Sequence, residues 1–369
     1  MPDQFNRRDF IKKSAMASAM AGIGMNGFAS TATPFVSENV SENIQKTGVQ
    51  RLPVSQLKKW TEQEYGMFIH FGMSTFSGEE LGSGKDPCSL YNPNELDVDQ
   101  WVKVARDAGM KYIVLTAKHV SGHCLWPSKY TDYHVGNSGN KTDVMEAFIS
   151  ACQKYDIKPG FYYCSWDNHH LFGSATPSNV PWESKFTTSE YCEFQFNQVE
   201  ELMTNYGPFA EVWIDIPGML SYENRVKQYE LITQLQPDTF VMMNGGVGKG
   251  HQIKTDYSWP TDLVSMERGL PPSRDGYNPW YVVKDYLGND QDYYIPGEVC
   301  DTICYTWFWK ENNQIRSADE ILGMRLIAKE RGSNFLLNVP PDQTGQIPQK
   351  MVDVLVRAKM KYDKIVETF

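Results

Sequence analysis

The sequence lacks the motifs that identify several common classes of enzyme and binding protein. It has no paired CxxC motif of a structural zinc site, and its seven cysteines lack the regular spacing of a disulfide scaffold. No GxGxxG fingerprint follows the first apolar run, which continues instead into His70-Phe71-Gly72, and there is no Walker loop. Dinucleotide and nucleoside-triphosphate binding are therefore not indicated, and we expect neither a cofactor nor a bound metal.

Positive charge is also scarce. The chain has 35 Lys and Arg against 45 Asp and Glu, a formal net charge of -10, and no basic patch. Such a surface repels phosphate backbones, so nucleic acid is not expected as a partner. No apolar run is long enough to span a bilayer, and we expect no stable membrane span in the mature protein.

The N-terminus carries an export pattern. Arg7-Arg8 is followed by Phe10, by Lys12-Lys13 and by a weakly apolar run of small residues. This pattern is typical of a twin-arginine signal, which we place at residues 1–32, with cleavage near its end. A polar linker is predicted at residues 33–51 and one catalytic domain at residues 52–369, so the mature protein is expected in the periplasm or at the cell surface.

From residue 60 onward, short apolar runs alternate with segments of helical period. Val144, Phe148, Ile149 and Cys152 recur on one helical face, and a similar pattern lies near the C-terminus. Continuous apolar strands between amphipathic helices indicate a parallel sheet covered by helices. The predicted strands are eight: residues 66–71, 112–116, 160–163, 212–214, 240–243, 263–266, 299–305 and 334–337. We therefore predict a single α/β domain, a (β/α)8 TIM-like barrel, without an appended C-terminal β-sandwich.

Polar residues end most of these runs, and in such a barrel the carboxyl ends of the strands carry the catalytic groups. Asp215 follows the apolar run at residues 212–214, with no Lys or Arg beside it, and Glu267 follows the run at residues 263–266. Two carboxyl groups opposed across a cavity, one ionised and one protonated, are the minimum equipment for cleaving a glycosidic bond. The sequence therefore indicates a glycoside hydrolase.

Several segments, in order along the chain, resemble the α-L-fucosidases of glycoside hydrolase family 29. They are EYGMFIHFG at residues 64–72, KYIVLTAKHVSGHCLWPSKYTDYHV at 111–135, WID at 213–215, GEVC at 297–300 with Trp307, and NFLLNVPP at 334–341. This resemblance implies an exo-acting retaining enzyme that releases terminal fucose from a fucosylated oligosaccharide or glycoconjugate.

The resemblance also implies residue roles. Asp215 matches the nucleophile that forms the covalent glycosyl-enzyme, and Glu267 is our choice for the acid/base, with Glu298 in reserve. Trp126 is expected either to wall the sugar pocket or to pack beneath it. The remaining expected substrate-binding residues are His70, Glu80, His119, His123, Tyr163, Trp213 and Trp307. Residues 169–182 and 269–296 are the expected leaving-group surfaces.

The chain departs from the family pattern at several positions. Family members often read His-His-Asp-Gly-Phe where this chain reads His119-Val120-Ser121-Gly122-His123, and Leu81 replaces a common tryptophan. His123 is a candidate to compensate for the missing histidine. Three alternatives stay open: a glycosidase for a fucose-like sugar such as an α-L-galactoside, a metal-dependent barrel hydrolase using His70, His119 and His123, and a sugar-binding protein without activity.

Overall fold

The computed structural model describes residues 51–170, 188–244, 259–271, 282–284 and 292–367. The predicted export signal and all of the predicted linker except Arg51 lie outside these ranges. The described strands are β1 (Tyr65–Ile69), β2 (Tyr112–Lys118), β3 (Lys158–Cys164), β4 (Glu211–Asp215), β5 (Phe240–Asn244), β6 (Val264–Glu267), β7 (Val282–Lys284), β8 (Asp292–Tyr294), β9 (Gly297–Thr302) and β10 (Asn334–Asn338).

Eight strands form one parallel sheet in the order β5-β4-β3-β2-β1-β10-β9-β6. A parallel bridge between Met242 of β5 and Leu263, just before β6, brings the two ends of the sheet together. The sheet is therefore an almost closed barrel. The pairing between β5 and β6, hereafter the seam, has the fewest bridged residues among the described strands. The strands β7 and β8 form a separate antiparallel pair between β6 and β9.

Helices connect most of the strands. They are α1 (Val54–Thr61), α2 (Met73–Ser77), α3 (Val98–Asp107), α4 (Val144–Tyr155), α5 (Ser189–Asn205), α6 (Tyr222–Leu235), α7 (Ala318–Glu330) and α8 (Gln349–Val366), with short 3-10 turns at Cys88–Leu90, Val135–Asn137 and Pro217–Met219. Several begin at a side chain that accepts a hydrogen bond from the first turn: Asp97, Asp143, Thr188, Ser221 and Ser317. Such caps satisfy amide groups that the helix itself leaves unpaired. None of the described helices is both long and apolar enough to cross a bilayer.

The apolar core has two layers. The inner layer fills the barrel with side chains such as Phe68, Tyr162, Trp213 and Leu336, and the outer layer packs between the strands and the helices. All eight predicted strands are present, so the predicted barrel is confirmed. The two predicted helical faces are also buried, at Phe148 of α4 and Leu355 of α8, for example.

Candidate active site

Polar side chains from several strands meet at the carboxyl end of the barrel. Asp215 is the last residue of β4 and Asn244 the last of β5, and the two are paired in register. Glu267 ends β6 on the other side of the seam, and His70 directly follows β1. Because all eight strands run in the same direction, their carboxyl ends share one end of the barrel, which is where barrel enzymes build their active sites.

Asn244 connects the two carboxyl groups expected to be catalytic. Its Nδ2 donates to Asp215 Oδ1 at 2.8 Å and to Glu267 Oε2 at 3.4 Å. The two oxygens can therefore be no farther apart than the sum of these distances, about 6.2 Å. With the two N–H bonds of the amide diverging by about 120°, the separation is roughly 5.4 Å.

Asp215 is surrounded by hydrogen-bond donors. The Tyr162 hydroxyl donates to Oδ2 at 2.6 Å, Asn244 donates to Oδ1, and the backbone N–H of Ile216 also favours the charged form. Burial, the largest effect, raises the pKa of Asp215, and these three donors act against that rise. The arrangement holds the Asp215 carboxyl group in a fixed orientation.

Glu267 is in a different environment. It keeps contact with solvent, yet partial burial raises its pKa to about 7, and the negative charges of Asp215 and Glu80 add to that rise. Asn244 and the cation of Arg268 oppose the rise. A carboxyl group with a pKa near neutrality is partly protonated at pH 7 and can donate a proton.

Two neutral histidines, His70 and His119, lie beside Tyr162 at the same end of the barrel. His70 Nδ1 lies 2.8 Å from Asn338 Oδ1, and because Asn338 Nδ2 donates to the Trp307 carbonyl, His70 must be the donor in that bond. Burial lowers the pKa of His70 well below its usual range, and burial together with Lys118 lowers that of His119 to about 3. Among the described residues, His119 Nδ1 has no hydrogen-bond partner.

Three more expected residues belong to this cluster or border it. The Trp307 ring centroid lies 4.9 Å from that of His70, and Trp213 packs against Phe68 in the barrel, two residues before Asp215 on the same strand. Glu80 is close enough to raise the pKa of Glu267. The structure therefore groups His70, Glu80, His119 and Trp307 around the two carboxyl groups, with Trp213 buried below them in the barrel.

The structure places His123, Trp126 and Tyr163 elsewhere. His123 bonds to Ser138 at 2.8 Å, Trp126 Nε1 donates to Glu201 of α5 at 2.7 Å, and the Tyr163 hydroxyl donates to Gln198 of α5 at 2.8 Å. All three side chains are buried in the outer layer, under helices and loops. Trp126 thus packs beneath the site rather than walling it, and His123 does not reach the position of the missing histidine.

The reserve acid/base, Glu298, lies deep in the barrel. It is the second residue of β9, is fully buried, and accepts hydrogen bonds from the Tyr112 hydroxyl and from Trp213 Nε1, the latter at 3.0 Å. Its other neighbour is the carboxyl group of Glu211, the first residue of β4. Because Glu211 and Asp215 are four residues apart on one strand, Glu298 lies about 13 Å below the nucleophile position.

Glu211 and Glu298 form a buried carboxyl pair. Neither oxygen of Glu211 receives a hydrogen bond from a protein donor within the described ranges. Burial raises the pKa of both groups, and the negative charge of Glu298 raises that of Glu211 further. Glu298 already has two donors, so the shared proton belongs on Glu211, which then donates to the Glu298 carboxylate.

Sequence reasoning did not assign Tyr162, whose hydroxyl donates to Asp215 Oδ2. Side chains alternate along a strand, and β3 pairs with β4 so that Tyr162 is opposite Trp213, on the inner side of the barrel. Tyr163 therefore faces outward, where Lys118 lies 4.3 Å from its ring. Trp213 and Asp215 are two residues apart on β4 and so lie on the same face of that strand. The side chain opposite them on β3, that of Tyr162, could have been placed inside the barrel from this spacing.

A second unassigned feature is the fully buried ion pair between Lys118 Nζ and Asp167 Oδ2, at 2.6 Å. Lys118 ends β2 and directly precedes His119, and Asp167 also accepts hydrogen bonds from His169 and His170. The pair lowers the pKa of Asp167 and fixes the loop after β3 against β2, behind His119.

Much of both expected leaving-group surfaces, residues 169–182 and 269–296, lies outside the described residues. Within the described ranges, no three His, Cys, Asp or Glu side chains are grouped as metal ligands.

Comparison with known proteins places the chain in a family. The family model for alpha-L-fucosidase matches residues 83–359. Alpha-L-fucosidase 1 of Arabidopsis thaliana is 33% identical over 325 residues, which cover 82% of this chain and 59% of that protein. The curated relatives from Arabidopsis, Oryza sativa and Dictyostelium discoideum are matched over only 56% to 59% of their own lengths.

Solved structures show the same fold. Alpha-L-fucosidase isoenzyme 1 from Paenibacillus thiaminolyticus is 25% identical, with a TM-score of 0.66, and the match covers 84% of this chain and 76% of that one. A glycoside hydrolase 29 family member from an unknown rumen bacterium is 27% identical, also with a TM-score of 0.66, over 84% of this chain and 57% of that one.

Proposed function

Because the chain belongs to the alpha-L-fucosidase family, we propose that it is an exo-acting α-L-fucosidase that releases terminal fucose with retention of configuration. Asp215 is the nucleophile and Glu267 the acid/base. The observation that carries this proposal is the Asn244 bridge between the two carboxyl groups.

The bridge bears on stereochemistry. Retaining glycosidases hold their two carboxyl groups about 5 to 5.5 Å apart, whereas inverting enzymes need about 6.5 to 9.5 Å to admit a water molecule. The bridge limits the separation of the two oxygens to about 6.2 Å, below the inverting range. Direct attack by Asp215 on the anomeric carbon is therefore favoured over attack by an interposed water.

The reaction proceeds in two steps. Asp215 attacks the anomeric carbon while Glu267 gives its proton to the glycosidic oxygen, so the leaving sugar departs as a neutral alcohol and an ester bond joins fucose to Asp215. Glu267, now ionised, takes a proton from water. That water attacks the anomeric carbon, the ester bond breaks, and Asp215 is again a carboxylate.

The different environments of the two carboxyl groups suit these roles. Asp215 has three donors that favour its charged form, and Glu267 has a pKa of about 7 and remains partly protonated. The neutral imidazoles of His70 and His119 supply hydrogen bonds for sugar hydroxyls without adding charge. The ring of Trp307 provides apolar surface for the C–H faces and the methyl group of fucose, whereas Trp213 packs beneath the site in the barrel.

A trapping experiment tests the mechanism. A 2-fluoro-α-L-fucosyl fluoride should label the protein with one fucosyl unit, and peptide mapping should locate it on Asp215. Asp215→Ala should lose turnover of 4-nitrophenyl α-L-fucoside and recover it with azide, giving the inverted β-fucosyl azide. Asn137→Ala, which changes an exposed side chain on the loop after β2, is the matched control and should retain wild-type turnover. Labelling of another residue, or faster cleavage of the α-L-galactoside, would contradict the assignment.

We also propose that the protein is exported in folded form through the twin-arginine route. The support is the Arg7-Arg8 pair followed by a weakly apolar run. Replacing both arginines by lysine should retain the enzyme in the cytoplasm, as fractionation and activity measurements would show. Unchanged export of the double variant would refute this route.

A further inference from the structure

Arg268, the residue directly after Glu267, has an unusual backbone. Its φ is +52°, in the left-handed region that non-glycine residues seldom adopt, and its backbone N–H donates to the Cys300 carbonyl at 2.9 Å. This conformation turns the chain as β6 ends. The side chain lies toward β9, the neighbouring strand, where it contacts Asp301.

Three contacts hold the guanidinium. Its central carbon lies 5.1 Å from the centroid of the Trp307 ring, Nη2 donates to the Tyr305 carbonyl at 3.2 Å, and Nη1 lies 3.8 Å from Asp301 Oδ1. The Trp307 ring in turn contacts His70 in the sugar pocket. The guanidinium is thus fixed one aromatic ring away from the pocket.

The charge of Arg268 is only weakly compensated. Asp301 lies closer to Arg316, at 3.2 Å, than to Arg268, so one carboxylate serves two cations. A guanidinium has five N–H donors, and within the described part of the chain that of Arg268 makes one hydrogen bond. Its side chain is 38% exposed, so the remaining donors face solvent next to the acid/base.

We propose that Arg268 binds the leaving-group sugar, the ring on the reducing side of the fucosidic bond. This inference rests on the proposed function, because it takes Glu267 as the general acid. The acid must lie within hydrogen-bond reach of the glycosidic oxygen, so the leaving sugar begins at the Glu267 carboxyl group. The next residue along the chain then offers its donors to hydroxyl or acetamido oxygens of that sugar, and the Trp307 ring keeps the donors in place.

The test compares two substrates on one enzyme sample. One is 4-nitrophenyl α-L-fucoside, whose leaving group is not a sugar, and the other is a fucosylated lactose, whichever of the 2'- and 3-linked isomers the wild type cleaves faster. The ratio of the two kcat/KM values does not depend on how much of the sample is folded. Arg268→Met should lower kcat/KM for the oligosaccharide about 10- to 100-fold, as expected for losing a charge-assisted hydrogen bond, while the aryl fucoside changes less than about threefold.

Two further variants complete the design, with each measured at its own pH optimum because Arg268 also influences the protonation of Glu267. Arg268→Lys should restore part of the oligosaccharide rate, since it keeps the charge but loses the planar fork. Arg316→Met, which removes the other cation bound to Asp301, should leave the ratio unchanged. An equal loss on both substrates in Arg268→Met, or no loss, overturns the inference. A wild type that cleaves neither substrate refutes the proposed function instead.

Discussion

The buried carboxyl pair gives the sharpest test of how the barrel interior supports the site. Glu211→Gln and Glu298→Gln make the same isosteric change at the two members of this pair. If the proton belongs on Glu211, its replacement by an amide preserves the donor to Glu298. The same replacement at Glu298 removes the charge that the Tyr112 and Trp213 donors are arranged around.

The expected cost differs accordingly. A hydrogen bond to a charged group contributes roughly 1.5 to 3 kcal/mol and a neutral one about 0.5 to 1.5, so weakening two of them in Glu298→Gln costs about 2 to 3 kcal/mol. The new amide group also faces a donor, which adds about 1 to 2 kcal/mol. The total of about 3 to 5 kcal/mol corresponds to a loss of roughly 4 to 8 °C in Tm for a domain of this size. Glu211→Gln should not lower stability at pH 6, because the amide keeps the donor that the protonated Glu211 supplies.

The pH dependence separates the two variants further. The pKa of Glu211 is raised in the folded state, so the folded protein binds more protons than the unfolded chain above the unfolded pKa of about 4.3. Stability from this group is therefore fully present below that pH and falls as pH rises toward the folded pKa, by about 1.4 kcal/mol per pH unit. Glu211→Gln lacks this loss and should become the more stable protein as pH rises.

Thermal unfolding of the three proteins, followed by circular dichroism from pH 5 to pH 9, measures both effects. The aryl-fucoside rate at 25 °C verifies that each sample is folded. The reasoning is refuted if Glu298→Gln is tolerated and Glu211→Gln is damaging, or if neither variant changes the slope of Tm against pH.

Three other predictions follow from the site and the seam. Tyr162→Phe should lower kcat by about 5- to 100-fold because Asp215 loses a donor, whereas Tyr163→Phe should leave kcat near wild type, and an equal effect of both would contradict the assignment of sides. Since Glu267 must be protonated to act as an acid, kcat/KM should fall as pH rises above about 7, and a profile that falls only beyond pH 9 would contradict this. Asp215→Asn removes a neighbouring negative charge and should therefore lower the pKa of Glu267 in a titration. Arg51→Ala should cost about 1 to 3 kcal/mol of unfolding free energy in a denaturant titration, because Arg51 donates to the buried Asp262 beside the seam.

The barrel was predictable from the sequence because buried parallel strands are largely apolar runs, as β1, β2 and β10 show most clearly. Asp215 was also accessible, since it ends such a run without a neighbouring cation. It was harder to predict which side chains of a strand face the barrel interior. Tyr162 and Tyr163 are the same residue type in one apolar run, and only the register with β4 decides which of them faces inward.

Contacts between distant segments were beyond sequence reasoning. The bulge in β2 between Thr116 and Lys118 turns Lys118 outward, next to Tyr163, and leaves His119 on the pocket side. The Asn244 bridge joins residues that are 29 and 23 positions apart, and no local pattern indicates it. Glu298, by contrast, begins a strand rather than ending one, and the rule that places catalytic groups at carboxyl ends already favoured Glu267.

The seam between β5 and β6 has a consequence for how heat inactivates this protein. Asp215 and Glu267, the proposed nucleophile and acid, lie on opposite sides of the strand pair with the fewest hydrogen bonds. A slight local separation there would lengthen the gap between them while the remaining seven strand pairings stay intact. We therefore expect the enzymatic rate to report partial opening more sensitively than ellipticity does, and turnover to be lost on warming before the barrel unfolds.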